Sequence, residues 1–112
     1  MSCIFCKINS GEIPSRKIFE DGSVLAFHDV QAQAPTHFLV ISKQHIESLA
    51  DMTAEQELLL GHLLTVAAQL AAEQKLNDGY RVVINTGPKG GQTVSHLHLH
   101  VLGGRQMTWP PG

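Results

Sequence analysis

A single α+β domain is what this 112-residue sequence predicts, on three observations. Short β-branched and aromatic runs are punctuated by turn residues, one long amphipathic stretch carries its own start and stop signals, and two further extended runs flank a glycine-rich loop. The length suffices for one hydrophobic core and is too short for two. No repeat, low-complexity tract or linker divides residues 1–112.

Ile4 to Asn9 has a short apolar face and reads as one or two helical turns ending before Ser10-Gly11, after which Pro14 restarts the chain as extended. Arg16–Glu20 and Val24–Asp29 are strand-like runs separated by Asp21-Gly22, a hairpin signal. His37–Ser42 follows Pro35 and reads as a buried strand, rich in β-branched and aromatic residues. The clearest helix runs from about Met52 to Leu76. Thr53 with Gln56 three residues on matches a capping box, and Asn77-Asp78-Gly79 supplies the stop. Its stripe of Leu60, Leu63, Leu64, Ala67, Leu70 and Ala71 is widened by Leu59 and Val66, which fits either a snug core helix or a second apolar face shared with another subunit. Tyr80–Asn85 and Ser95–Leu102 read as strands joined by the loop from Thr86 to Gln92. The segment Gly103–Gly112 lacks periodicity and reads as an extended tail whose Trp109 and Pro110-Pro111 need something to pack on.

Charge excludes a large class of partners. Eight Lys and Arg against ten Asp and Glu give a net charge of −2, and the basic residues are scattered. A nucleic-acid duplex would call for a basic stripe, because phosphate neutralisation dominates such binding. No run approaches the roughly 18 apolar residues of a membrane span. The first residues, Met1 to Cys6, lack the basic and apolar succession of a secretory signal, so the chain is expected in the cytoplasm.

Seven histidines stand out, three of them in His96-Leu97-His98-Leu99-His100. In a strand this alternation would line three imidazoles along one face, about 7 Å apart at Cα, with the aliphatic residues filling the core behind. Three chemistries compete: a solvated polar face, an open three-histidine zinc site that activates water, and nucleophilic with acid–base catalysis by imidazole. No carboxylate lies nearby in sequence to orient zinc ligands. Gly90, Gly91, Gln92, Thr93 and Ser95 offer backbone amides and hydroxyls to an approaching phosphate, without the spacing of a Walker-type loop. These features favour transfer of a phosphorus centre onto histidine.

His96 through Leu102 resembles the His-φ-His-φ-His-φ-φ signature of the histidine triad (HIT) superfamily. Phe27-His28-Asp29, Ala34 through Ile41, Asn85, Gly90-Gly91-Gln92, Leu102 through Met107 and Trp109-Pro110-Pro111-Gly112 resemble its Hint branch, the histidine triad nucleotide-binding proteins. The resemblance covers essentially the whole chain. It implies a five-stranded antiparallel sheet with two helices, paired as a homodimer into a ten-stranded sheet. It implies hydrolysis of purine nucleoside phosphoramidates and aminoacyl adenylates to a nucleoside monophosphate, with no metal required for catalysis. By position, His98 is the implied nucleophile, His100 and His37 the supporting histidines, and His96 the buttress. Asn85, Gly91, Gln92 and Thr93 match phosphate and ribose contacts, Thr93 standing where many relatives have Ser. Asp29 matches the ribose carboxylate. Phe5, Ile8, Ile18, Phe27, Val30 and Leu39 match the purine pocket, and Trp109 the tail residue that reaches the neighbouring subunit's site. A nucleotide-binding regulatory protein with incidental turnover is the alternative from another functional class.

Cys3 and Cys6 form a C-x-x-C pair without the strand-to-helix turn of a thioredoxin-type redox motif. Two cysteines with two histidines would complete a closed tetrahedral zinc site; two idle reduced thiols are the alternative. The resemblance to zinc-carrying bacterial relatives matches their histidines to His45 and His96. His28 and His62 read as ordinary partly buried residues.

Overall fold

The structure, a computed structural model, describes residues 3–112; Met1 and Ser2, part of the segment read for a secretory signal, lie outside the described residues. Helix α1 (Ile4–Ser10) is capped by Cys3, whose Sγ accepts the Cys6 amide at 3.3 Å, and closed by Gly11 at φ 87. Strands β1 (Lys17–Glu20) and β2 (Val24–His28) form the expected hairpin. Asp21 fixes its turn by accepting the amides of Ser23 and Val24 at 2.9 and 2.8 Å. Strand β3 (Thr36–Ser42), helix α2 (Glu57–Glu73), β4 (Tyr80–Val83) and β5 (His98–Gly103) complete an antiparallel sheet of order β1-β2-β3-β5-β4 with two helices. Among the described residues no helix is long and apolar enough to cross a membrane.

The period of two divides the sheet between the helices. Val24, Ala26, Phe38, Val40, Leu99 and Val101 pack against Leu63, Val66, Ala67, Leu70 and Ala71 of α2. Leu25, Phe27, Leu39 and Ile41 pack against Phe5 and Ile8 of α1. With both faces covered, β3 is an almost continuous buried run, as its apolar composition predicts. The site is built on the α1 face.

Three boundaries differ from expectation by three residues or more, each with a physical cause. The capping box forms, with Gln56 Oε1 accepting the Thr53 amide at 2.9 Å, but it opens a 3-10 turn and α2 proper begins at Glu57. The helix stops at Glu73, not at Asn77-Asp78-Gly79: Lys75 turns left-handed at φ 63, and the amides of Lys75 and Leu76 return to the carbonyls of Ala72 and Ala71. That is a Schellman closure, driven by burial of Leu76 against the sheet, where a Cβ on Gly103 would lie 2.7 Å from its methyl. Strand pairing starts at His98, three residues later than read, because the Leu97 amide bonds the Ile46 carbonyl at 2.6 Å and the His96 ring occupies the carbonyl of Ser42. Leu64 of the α2 stripe is 42% exposed, and Leu58 on the first turn of the helix 88%. The tail carries Trp109 at 82% exposure, held at its base where Arg81 Nη2 donates to the Thr108 carbonyl.

Asp21 also accepts from His62 Nε2 on α2 at 2.6 Å, tying the hairpin turn to the helix. That bond, with the two backbone amides, lowers the Asp21 carboxyl from 3.8 to about 2. A lowered carboxyl pKa gives stability that is fully present above the unfolded value and is lost as pH falls through the folded one. Urea midpoints of wild type and Asp21→Asn should therefore differ most above pH 4 and converge toward pH 2; a constant difference over that window would refute the linkage.

Candidate active site

A cleft of about 410 Å³ opens between α1, the β2–β3 connection and the start of β5. Its apolar wall is Phe5, Ile8, Ile13, Phe27 and Leu39, and its floor carries Asp29, His98 and His100. The β3–β5 register sets Leu39 opposite His100 and Ile41 opposite His98, so both imidazoles rise from the α1 face. His37 enters the same face from β3, and Asp29 is brought alongside by the hydrogen bond from its amide to the His37 carbonyl.

Backbone groups fix the ring tautomers. His98 Nδ1 lies 2.6 Å from the His96 carbonyl, which can only accept; Nδ1 carries a proton, and Nε2 is the nitrogen presented to the cleft. His37 Nδ1 accepts the Gln33 amide at 3.0 Å, so its Nε2 bears the proton, 3.0 Å from His100 Nδ1 and 3.3 Å from Asp29 Oδ2. His100 then accepts at Nδ1 and carries its proton on Nε2. Asp29, His37 and His100 also have the spacing of a metal site. A ligating histidine donates its other ring N–H, whereas the far nitrogen of His37 receives one, so the triad is set for proton handling.

His96 departs from the expected row of three. It precedes the strand in a bend, fully buried, and turns away from the cleft: Nε2–H donates to the Ser42 carbonyl at 2.7 Å, leaving an Nδ1 lone pair 3.3 Å from Cys3 Sγ, 3.6 Å from Cys6 Sγ and 3.2 Å from His45 Nδ1. The three-histidine zinc reading fails on this geometry. Cys3, Cys6, His45 and His96 instead form a four-ligand cluster whose separations match the roughly 3.3–3.8 Å edges of a zinc tetrahedron. Burial and then Cys3 push the Cys6 thiol above its usual value, which disfavours the thiolate a cation would need, and His45 Nε2, on the far side of the ring from the cluster, is buried without the partner a ligating imidazole commonly has. With four protein ligands the site has no open position, so a metal there would hold structure and leave the chemistry to the imidazoles.

Residues 10–107 match the family model described as the HIT domain. The chain belongs to the HIT family. It is 58% identical to a HIT-like protein of Synechococcus elongatus over 97% of this chain and 96% of that one, and 53% identical to a 14 kDa zinc-binding protein of Zea mays over 97% and 87%. Its structure superposes on a HIT family hydrolase from Legionella pneumophila with a TM-score of 0.97, at 52% identity over 99% of this chain and all of the other. A histidine triad nucleotide-binding protein from Candida albicans gives 0.83 at 35% identity, covering 97% and 83%.

Most of the expected contacts of this HIT domain converge. Phe5, Ile8, Phe27, Val30, Leu39, Asp29, Thr93, His98 and His100 line the cleft, Val30 being 95% exposed at its lip. Ile18 does not: a register shift between Lys17 and Phe19 turns it to the α2 core. Its place in the wall is taken by Ile4 and Ile13, and Ile13, isolated between Glu12 and Pro14, belongs to no periodic run that could have flagged it. Asn85, Gly91 and Gln92 shape the loop beside the cleft. Asn85 Nδ2 donates to the Gly91 carbonyl at 3.4 Å, Gly91 is left-handed at φ 87, and Gln92 bonds the Gly87 amide and the carbonyls of Glu47 and Val94. Trp109 does not line the cleft of its own chain. His62 is the ordinary, partly buried residue expected, bonded to Asp21, while His28 lines the cleft.

Desolvation sets the charge of the HIT-domain imidazoles. It lowers His37 against the pull of Asp29, and it lowers His100, helped by neighbouring His98 and His37, from 6.5 to about 4. Neutral rings at pH 7 keep the tautomers defined. In the ligand-free protein the His100 ring resonances should titrate with a midpoint near 4; a midpoint at or above 6 would overturn the desolvated arrangement.

Proposed function

We propose that this HIT domain is a Hint-branch hydrolase that cleaves the P–N bond of purine nucleoside phosphoramidates, and the acyl–phosphate link of aminoacyl adenylates, releasing the nucleoside monophosphate. At the coarser level of a nucleotide hydrolase the reading is supported by the Legionella hydrolase and the Candida nucleotide-binding protein. The observation that carries it is the 2.6 Å bond from His98 Nδ1 to the His96 carbonyl, which commits the lone pair of Nε2 to the cleft.

With the anionic substrate in the cleft His100 takes up a proton as imidazolium; His98 Nε2 attacks phosphorus, the P–N bond breaks, and the departing amine takes the proton from Nε2 of His100, leaving that ring neutral. Water then attacks the nucleotidyl-histidine, giving its proton to His100 as the P–Nε2 bond breaks. Two displacements replace one slow attack on an unactivated phosphoramidate. In this reading His37 orients His100, Asp29 accepts from the ribose hydroxyls, and the apolar wall holds the purine face. No step needs a metal; zinc held by Cys3, Cys6, His45 and His96 would brace the fold behind the site. A homodimer built through the exposed edge of β4 and the uncovered Leu58 and Leu64 of α2 would give Trp109 a surface to pack on.

Single-turnover hydrolysis of adenosine phosphoramidate tests the proposal. Wild type should turn over with EDTA present and yield an adenylylated peptide containing His98, and His98→Ala should lose at least about 10³-fold in rate, the scale on which a nucleophile and its base act. Inhibition by EDTA without an adduct would replace it with metal chemistry, and binding of AMP without turnover would make the protein a nucleotide-binding module. Sedimentation of wild type should show a dimer that Leu64→Glu converts to monomer.

A further inference from the structure

The His96 peptide joins two sites that the mechanism above treats separately. Its ring Nδ1 faces the thiols of Cys3 and Cys6 and His45 Nδ1 within 3.2–3.6 Å, while its carbonyl accepts from His98 Nδ1 at 2.6 Å. The carbonyl belongs to the His96–Leu97 peptide, which lies outside the strand ladder because β5 pairing begins only at His98. The Leu97 amide holds that peptide on the Ile46 carbonyl, and the His96 ring anchors its other side, held at one nitrogen by Ser42 and facing the cluster with the other.

We infer that Cys3, Cys6 and His45 are positioning residues for His98: with a tetrahedral cation among them they pin the His96 ring, and through it the carbonyl that selects the tautomer of the nucleophile. The inference rests on the proposed role of His98, but the tautomer exists whether or not the protein hydrolyses anything. Partners one bond removed from reacting groups commonly change activity by 10–100-fold. An effect carried by the His96 carbonyl falls on the chemical step, whereas loosening of α1, which bears Phe5 and Ile8 of the cleft wall beside Cys6, would weaken binding as well.

The test compares one protein in two states. Full-length wild type is stripped of metal by a chelator and reloaded with one equivalent of Zn²⁺, with Co²⁺ in parallel as a probe whose visible and thiolate charge-transfer bands report tetrahedral sulfur–nitrogen ligation. The ring ¹⁵N and hydrogen-bonded Nδ1 proton of His98 are followed by NMR, together with AMP affinity and phosphoramidate kcat and KM. The loaded protein should show a single Nδ1–H tautomer with a sharp, exchange-protected proton. Stripping should broaden or lose that signal and lower kcat about tenfold, with KM and AMP affinity changed less than about twofold. Reloading should restore both. Cys3→Ser/Cys6→Ser should behave as stripped protein and ignore added metal. Identical His98 spectra with and without metal, or no binding of either ion, would overturn the inference; so would unfolding of both stripped protein and variant, which would assign the cluster to the fold alone. Loss of turnover in every state with an intact metal-dependent His98 signal would sink the proposed function and leave the coupling standing.

Discussion

The hydrogen bond from His98 Nδ1 to the carbonyl of His96 depends on the chain leaving the sheet where alternation says it should continue. Extending β5 by two residues would point that carbonyl along a ladder; instead the Leu97 amide is held by Ile46 and the His96 ring by Ser42. The His96 backbone is thereby freed to serve the residue two positions on. Two adjacent histidines of one motif end as opposite tautomers, His96 with its lone pair at Nδ1 toward sulfur and His98 with its lone pair at Nε2 toward the cleft. A backbone carbonyl is well suited to this task, because it can only accept and so forbids the wrong tautomer outright.

Much of this was legible in the sequence, and the parts that were not share a cause. The α+β class, the hairpin at Asp21-Gly22, the capping box at Thr53 and Gln56 and the packing of His98 with His100 follow from local periodicity and turn chemistry, which the structure preserves. What failed were inferences that extend a local pattern past a long-range contact. Alternation placed His96 beside its neighbours, but a carbonyl 54 residues away captured its ring. Turn propensity at Asn77-Asp78-Gly79 carried α2 to about Leu76, but burial of Leu76 closed the helix at Glu73 with a left-handed lysine. Ile18, matched to the purine wall by the resemblance, packs on the other face because of the register shift between Lys17 and Phe19, a one-residue slip that position in the sequence does not register. The resemblance named the four residues of the cluster and many that line the cleft, missing Ile4, Ile13 and His28, and the geometry separated His96 from His98 and His100.

The charge state of the site follows from the same packing that builds the α1 face. Burial that holds Leu39 and Phe5 against His98 and His100 also strips water from the imidazoles, and desolvation outweighs the attraction of Asp29 in lowering His37 and His100. A neutral pair is poorly supplied with the proton a departing amine needs. An anionic phosphate in the cleft reverses that balance, because an opposite charge within about 4–6 Å favours the imidazolium. Under the proposed function, the substrate that needs an acid is therefore the group that recruits one, and the low resting value of His100 prevents the site from holding that charge when empty. Water attack on the nucleotidyl intermediate then requires His100 to be neutral again, a condition met as soon as the first amine carries the proton away.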